Sequence, residues 1–369
     1  MKPTDIGVDA LREWLESGHP VTVLDIRPES QREEWRIPGS VHVDAQAAMR
    51  PSAPSTIAGV PVPPGQPVVA VCAQGKSSVL AVRALRERGI EALSLKGGMQ
   101  AWSLAWNVAD VDLPGSRARI IQIRRTGKGC LSYVVACDGA AMVVDASIDP
   151  DVYLRIAQER GFKITHVVDT HIHADHLSRS RAVAERCHAE VLLPEQDRAS
   201  YTFRPLGDGE SLQIGSVEVQ ALHTPGHTME STSYLVDGRA LLTGDTLFPG
   251  AVGRPDLAAS AEQARKRAHV LYATLRRIAQ LSPEIWILPC HTSEPIPFDG
   301  KPCGALLGDV LRQVEMLNAG EESFVETLLS RIPETPANHL EIVRLNERGE
   351  LPEGDPTLLE AGANRCAIS

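Results

Sequence analysis

Short apolar runs alternate with amphipathic segments along the first hundred residues. "VTVLDIR" (21–27), "PVVAVC" (67–72) and "ALSLKGG" (92–98) each fit a short strand, and "SSVLAVRALRERGI" (77–90) repeats apolar positions at helical spacing. Strand and helix in alternation predict a small parallel α/β domain over residues 1–110. Within it, "PSAPSTIAGVPVPPGQP" (51–67) is too rich in proline and glycine for regular structure. "NVADVDLPGSR" after Trp106 reads as a connection, with the linker placed at 111–118.

The pattern then changes. "RIIQIRRTG", "CLSYVVACDG" and "AAMVVDAS" are strand-like, "DVYLRIAQERG" is helical, and "ITHVVDT" is a strand that runs into a cluster of histidines. Further strands follow in "AEVLLP", "VEVQALHT", "STSYLVDG", "ALLTGD" and "EIWILPCH", with the helix "SAEQARKRAHVLYATLRRIAQL" before the last. Many strands with helices between them predict two sheets covered outside by helices over 119–300, and residues 301–369 turn mainly helical.

Composition narrows the function classes. A chain of 369 residues exceeds what one core usually organises, in keeping with two domains. The net charge of −10 and the lack of a clustered basic face argue against nucleic acid as a partner. No apolar run reaches the length of a membrane span, and "MKPTDIGVDALREW" has no secretory pattern, so a cytoplasmic protein is expected. Seven cysteines without paired spacing fit reduced thiols better than a disulfide framework.

The chemistry concentrates in "THIHADH" (170–176). In an extended segment alternate side chains share a face, so His171 and His173 can grip one cation while Asp175 and His176 face a neighbouring position. Ligand types recur at later strand ends: His227 in "TPGHT", Asp245 in "LLTGD" and His291 in "LPCHT". Any one such histidine is ordinarily a satisfied polar residue, but the set supplies ligands for one or two metals.

These motifs make residues 119–300 similar to the metallo-β-lactamase superfamily. The resemblance implies an αββα sandwich with metal at the strand ends. It places His171, His173 and His227 at one metal position and Asp175, His176 and His291 at another, with Asp245 between them and Asp145 as a support. An aspartate at 245 where common β-lactamases carry cysteine disfavours antibiotic hydrolysis. His173, where flavo-di-iron relatives carry glutamate, disfavours oxygen reduction of that kind. Glyoxalase II-like hydrolases and persulfide dioxygenases remain. In the dioxygenases one Fe(II) would be held by His171, His227 and Asp245, leaving positions open for O₂ and a persulfide. His173, Asp175, His176 and His291 would then stand around that centre. "GDTLFPGAVGRPD" (244–256) resembles the dioxygenases, with Arg254 as an anionic-substrate contact, and so does the terminal "ANRC". "HTSEPIPFDG" after His291 departs from their pattern.

"VCAQGKSS" (71–78) ends a strand and precedes a helix, a setting that stabilises a thiolate or a persulfide anion. "VTVLDIRPESQREEWRIPGSVHV" and "LKGGMQAW" make residues 1 to about 106 similar to a single-domain rhodanese. That resemblance implies Cys72 as the sulfur-accepting nucleophile. Ala73, Gln74, Gly75, Lys76 and Ser77 would form the persulfide loop, with Asp25 and Arg27 as supports.

Together the two resemblances imply a bifunctional sulfur enzyme that oxidises a low-molecular-weight persulfide, such as glutathione persulfide, to sulfite. It would use one Fe(II) per chain and exchange sulfane sulfur with thiosulfate or sulfite through Cys72. One alternative is a glyoxalase II-like thioester hydrolase with one or two zinc ions. The other is a non-catalytic persulfide carrier or sensor. Strand alternation turns Cys290 away from the metal, Cys130, Cys137 and Cys187 fit structural roles, and His223 fits an ordinary strand histidine. The C-terminal helices are candidates to cover the site or to form a homo-oligomer face.

Overall fold

The structure is a computed structural model that describes residues 4–44, 63–360, 362 and 364–369. The first domain is a five-stranded parallel sheet in the order Asp5–Ile6, Ala92–Leu95, Val68–Val71, Thr22–Asp25, Val41–His42. Thr22–Asp25 and Val68–Val71 are buried at every position, as strands covered on both faces must be. Helices Val8–Glu16, Ser78–Glu87 and Gly98–Trp102 cover the sheet, closing small cores around Leu24, Val82 and Leu85 and around Leu11, Val69 and Trp102. Of the proline-rich stretch, residues 51–62 lie outside the described residues.

The connection after Trp106 differs from expectation. Asn107–Val111 is a strand paired antiparallel with Arg119–Arg125, so it belongs to the second domain and the boundary falls before it. Its alternating burial, with Asn107, Ala109 and Val111 inward, is short enough to pass for a polar linker.

The second domain packs two sheets face to face. The first has seven strands in the order Arg204–Leu206, Glu190–Pro194, Lys163–Val168, Ala140–Val144, Cys130–Cys137, Arg119–Arg125, Asn107–Val111. The second has six: Ser211–Ile214, Val217–His223, Thr232–Val236, Ala240–Gly244, Trp286–Pro289, Ala305–Leu306. Tyr133, Val135 and Val144 meet Val219, Tyr234 and Leu242 in the layer between them. Each such side chain contributes about 1.5–3 kcal/mol by leaving water.

Helices Pro150–Arg160 and Ser180–Cys187 cover the outside of the first sheet, and Ala261–Ile278, Leu307–Gln313 and Glu321–Ser330 that of the second. The expected αββα sandwich with a helical C-terminal region is therefore present. Among the described residues no helix is long and apolar enough to cross a membrane.

The last segment returns to the histidine loop. On helix His339–Arg348, Asn346 Nδ2 donates to the carbonyls of His173 (2.8 Å) and His176 (2.9 Å), and Asn346 Oδ1 accepts from Ser178 N. The C-terminal region thus covers and pins this loop.

Candidate metal centre and cysteine loop

Every expected ligand lies just past the C-terminal end of a strand, on one edge of the sandwich. The stretch 169–179 leaves Lys163–Val168, Asp245 follows Ala240–Gly244, and His291 follows Trp286–Pro289. His227 sits in the tight loop between Val217–His223 and Thr232–Val236, where Gly226 takes φ +139 and a Cβ would lie 2.5 Å from Leu271 Cβ. Only glycine meets both conditions.

Hydrogen bonds set each imidazole. Thr170 Oγ1 is 2.9 Å from His171 Nδ1, and the Arg254 carbonyl is 2.8 Å from His227 Nδ1, which leaves both Nε2 atoms inward. Those atoms stand 3.8 and 3.6 Å from Asp245 Oδ2. His171 Nε2 and Asp245 Oδ2 are buried without a hydrogen-bond partner, which is the state of ligands awaiting a cation. His171, His227 and Asp245 form one compact donor group, so these residues fit a metal. His173 groups with His171 and Cys290 instead. Its Nε2 is 3.1 Å from Asp145 Oδ1, and its Nδ1 is buried and unpaired. Asp145, held at φ 54, also accepts from Thr170 N (2.7 Å) and Thr170 Oγ1, so one carboxylate braces both His171 and His173.

Protonation suits metal binding. Burial first, then the neighbouring His173 charge, holds His171 well below its ordinary pKa, and burial lowers His227 as well. Burial alone would raise Asp245, but the His291 charge and hydrogen bond, with His227 and His171, pull it far below the carboxylate range. Two neutral imidazoles beside a carboxylate leave one negative charge to attract a cation.

A second group adjoins the first. Cys130, Asp175, His176 and His291 offer donor atoms within 4.8 Å of one another, all buried. His291 Nδ1 is 2.6 Å from Asp245 Oδ1, while its Nε2 lies 2.6 Å from Asp175 Oδ2 outside hydrogen-bond geometry. Burial disfavours charge on His176, but Asp175 and Cys130 raise it to about 9. Burial also pushes Cys130 up, and His176 and His291 bring it down to about 5.

Three expectations change. Arg254 is fully buried, with its guanidinium held by Asp256 at 2.8 Å and by the carbonyls of Pro333, Glu334 and Arg365; with every N–H turned inward it braces the fold and meets no substrate. Cys290 does face the site, its Sγ 3.0 Å from Asp245 Oδ1 and 3.1 Å from His291 Nδ1, because the strand ends at Pro289 and alternation stops there. Cys130 joins the ligand group instead of plain core. Asn346 and Glu360 lie far from the histidine motif in the chain, and only the docked C-terminal segment, which also brings Cys366 of "ANRC" beside Asp245 and His291, places them there.

In the first domain Cys72 is 2% exposed at the end of Val68–Val71, directly before the loop Ala73–Ser77 and the helix Ser78–Glu87. Its Sγ is 3.3 Å from Ser78 Oγ, which is 2.8 Å from Ser94 Oγ. Burial raises the thiol, but hydrogen bonds from Ser77, Ser78 and the N–H groups of Ser78 and Gln74 outweigh it and leave it at about 7. Lys76 is exposed. Arg27 bonds both Asp25 oxygens and the carbonyls of Gln31 and Trp35, a support for the fold as expected.

Comparison with known proteins agrees with this division: residues 7–105 match the rhodanese-like domain and residues 125–291 the metallo-beta-lactamase superfamily. The chain joins a rhodanese-like domain to a metallo-β-lactamase domain. A hydroxyacylglutathione hydrolase from Anaeromyxobacter dehalogenans is 39% identical over 132 residues, 35% of this chain and 50% of that protein. The chain thus spans about half the length of that curated relative. The crystal structure of a metallo-beta-lactamase from Staphylococcus aureus superposes with a TM-score of 0.58 at 27% identity, covering 64% of this chain and 74% of that one. ETHE1 from Myxococcus xanthus superposes with a TM-score of 0.53 at 26% identity, covering 61% and 96%. Outside both matched regions, the C-terminal segment supplies Asn346 and Glu360 to the metallo-β-lactamase domain.

Proposed function

We propose that the metallo-β-lactamase domain is an Fe(II)-dependent persulfide dioxygenase and that the rhodanese-like domain feeds or drains it by sulfur transfer. The observation that carries this reading is the grouping of ligands. His171, His227 and Asp245 form a two-histidine, one-carboxylate group of donors, while His173 groups with His171 and Cys290 and turns its Nε2 to Asp145. Asp245 directs Oδ2 toward His171 and His227, and its Oδ1 lies 2.6 Å from His291 Nδ1. The ETHE1 superposition over 96% of that chain supports the same direction. Iron(II) on this face would supply redox chemistry with O₂ and positions for two further ligands.

The chain's own residues prepare the reaction. A cavity of about 340 Å³ opens beside His227 between Ile172, Ala174 and Leu257, with Arg198 and Arg267 on its wall. The apolar surfaces exclude water; Arg198 is paired with Glu230 and Glu347, which leaves Arg267 as the wall's cation for a carboxylate of an anionic carrier such as glutathione. In the balanced reaction one persulfide, one O₂ and one water yield the free thiol, sulfite and two protons. At Cys72, thiolate attack on the outer sulfur of thiosulfate releases sulfite and leaves a persulfide, which a low-molecular-weight thiol takes up. Ser77 and Ser78 and the loop N–H groups hold the anion at each stage.

The curated relatives, hydroxyacylglutathione hydrolases, favour a second reading, a thioester hydrolase for which this site would take one or two zinc ions. One experiment separates the two: metal analysis of protein purified under low oxygen without added metal, with O₂ uptake after adding glutathione persulfide. The dioxygenase reading expects about one iron per chain, O₂ uptake and sulfite release. About two zinc ions per chain with thioester hydrolysis and no O₂ uptake would replace it by the hydrolase.

A further inference from the structure

The resemblance to metallo-β-lactamases places Asp175, His176 and His291 at an open metal position that shares Asp245 with the first. Two features of this chain change that position. Cys130 supplies a fourth donor, and Asp245 is turned away, with Oδ1 on His291 Nδ1 and Oδ2 toward His171 and His227. We propose that Cys130, Asp175, His176 and His291 form a second, closed cation site that takes zinc in its own right, separate from the open face of His171, His227 and Asp245.

The backbone places the sulfur. Cys130 and His291 form an isolated antiparallel bridge, and Leu131 N donates to the Cys290 carbonyl at 2.7 Å, so the side chains at 130 and 291 are set against each other by strand pairing. The approach depends on Gly129, at φ +96, where a Cβ would lie 2.5 Å from the Thr292 carbonyl oxygen. Cys130 Sγ lies 3.9 Å from Asp175 Oδ2. His176 Nε2 is buried with no hydrogen-bond partner, an independent sign of a missing ligand in the same space, and His291 Nε2 lies 2.6 Å from Asp175 Oδ2.

The donor set fits the ion. One thiolate, two imidazoles and one carboxylate make four protein ligands, the number a structural zinc site takes, whereas three ligands leave an open position for chemistry. A sulfur donor favours zinc over magnesium or calcium. Access is separate as well: a cavity of about 240 Å³ reaches Asp175 past Lys128, Thr335 and Ile342 and shares no lining residue with the cavity at His227. On binding, the Cys130 thiol proton leaves to solvent and no electron moves.

The test is cobalt substitution and zinc X-ray absorption on the full chain. Cobalt(II) added to metal-free protein is expected to give a near-ultraviolet thiolate-to-cobalt charge-transfer band. The band persists in His171→Ala and disappears in Cys130→Ser. Zinc added to wild-type protein already carrying iron is expected to show one sulfur neighbour at about 2.3 Å. No charge-transfer band and no sulfur neighbour in the wild-type protein overturn the site, and that result needs no variant to fold. A band that survives in Cys130→Ser overturns the assignment to Cys130 and moves it to Cys290 or Cys366. O₂ uptake is measured on the same samples, so uptake without a sulfur signal removes this site alone, and a sulfur signal without uptake removes the dioxygenase alone.

Discussion

Asp145 carries more of the metal centre than any residue outside the ligand set. Its Oδ1 accepts from Thr170 N and meets His173 Nε2, and the Thr170 hydroxyl it anchors is the neighbour of His171 Nδ1. An amide at 145 that keeps its oxygen on Thr170 N and His173 Nε2 places its NH₂ where Asp145 Oδ2 accepts from the Thr170 hydroxyl, so the hydroxyl that orders His171 Nδ1 loses that acceptor. Asp145→Asn should therefore weaken metal retention roughly 10–100-fold, measured by competition with a chelator. Unchanged retention would show that Thr170 alone holds the loop. At this scale the sequence was most legible where the site is local: "THIHADH" supplies four donors in seven positions, and no tertiary contact is needed to see it. It was least legible where a side chain's direction depends on where a strand stops, as at Cys290, or on which strand lies opposite, as at Cys130. Arg254 has the residue type of an anion contact, and only its burial among carbonyls and Asp256 removes that role.

Among the elements, the C-terminal segment acts as a clamp on the histidine loop. Glu360 is fully buried and accepts from Leu177 N at 2.7 Å, one residue past His176, while pairing with Arg125 at 2.8 Å and Arg179 at 3.0 Å. Burial raises this carboxyl, but the two guanidiniums and the Leu177 N–H bring it down to about 2. Its folded pKa is thus depressed from the ordinary 4.5, so its stabilisation is complete above about pH 4.5 and is lost as pH falls toward 2. Glu360→Gln leaves two buried guanidiniums with a neutral partner and should cost about 3–5 kcal/mol in urea unfolding at pH 7. The difference from wild type should shrink in acid. A cost below about 1 kcal/mol would mean that water reaches the arginines. The sandwich itself was legible because its strands are apolar runs of ordinary length. The clamp was not, since Asn346 and Glu360 are polar residues whose partners lie more than a hundred positions away. The strand Asn107–Val111 was hidden for a related reason: its alternation is brief, and its partner alone makes it a strand.

On the scale of the whole molecule, the two domains meet around the cysteine loop. Met99 N and Gln100 N donate to the carbonyls of Cys72 and Ala73, and the Gln100 side chain donates to Asp355 (3.1 Å) and Thr357 (3.2 Å) in the segment that carries Glu360. Trp35 Nε1 donates to the Thr126 carbonyl, and Arg125 Nε to that of Ser103. A cavity of about 380 Å³ is lined by Ala73, Gln74 and Met99 from one domain and by Gly127 and Leu358 from the other. The loop that follows Cys72 therefore faces a surface of both domains. The ligands at His171, His227 and Asp245 do not depend on Cys72, so the two chemistries should separate cleanly. Cys72→Ser is expected to keep O₂ uptake within about twofold of wild type when glutathione persulfide is added, since a serine hydroxyl replaces a buried thiol at nearly constant volume. The same variant should lose uptake supported by thiosulfate and glutathione, because an alkoxide is not available near neutral pH to attack the outer sulfur. An oxygen electrode run with each donor decides it. If both activities fall together, Cys72 is a structural part of the metal domain's partner. If thiosulfate still supports uptake, the sulfur reaches the metal centre without the rhodanese-like domain.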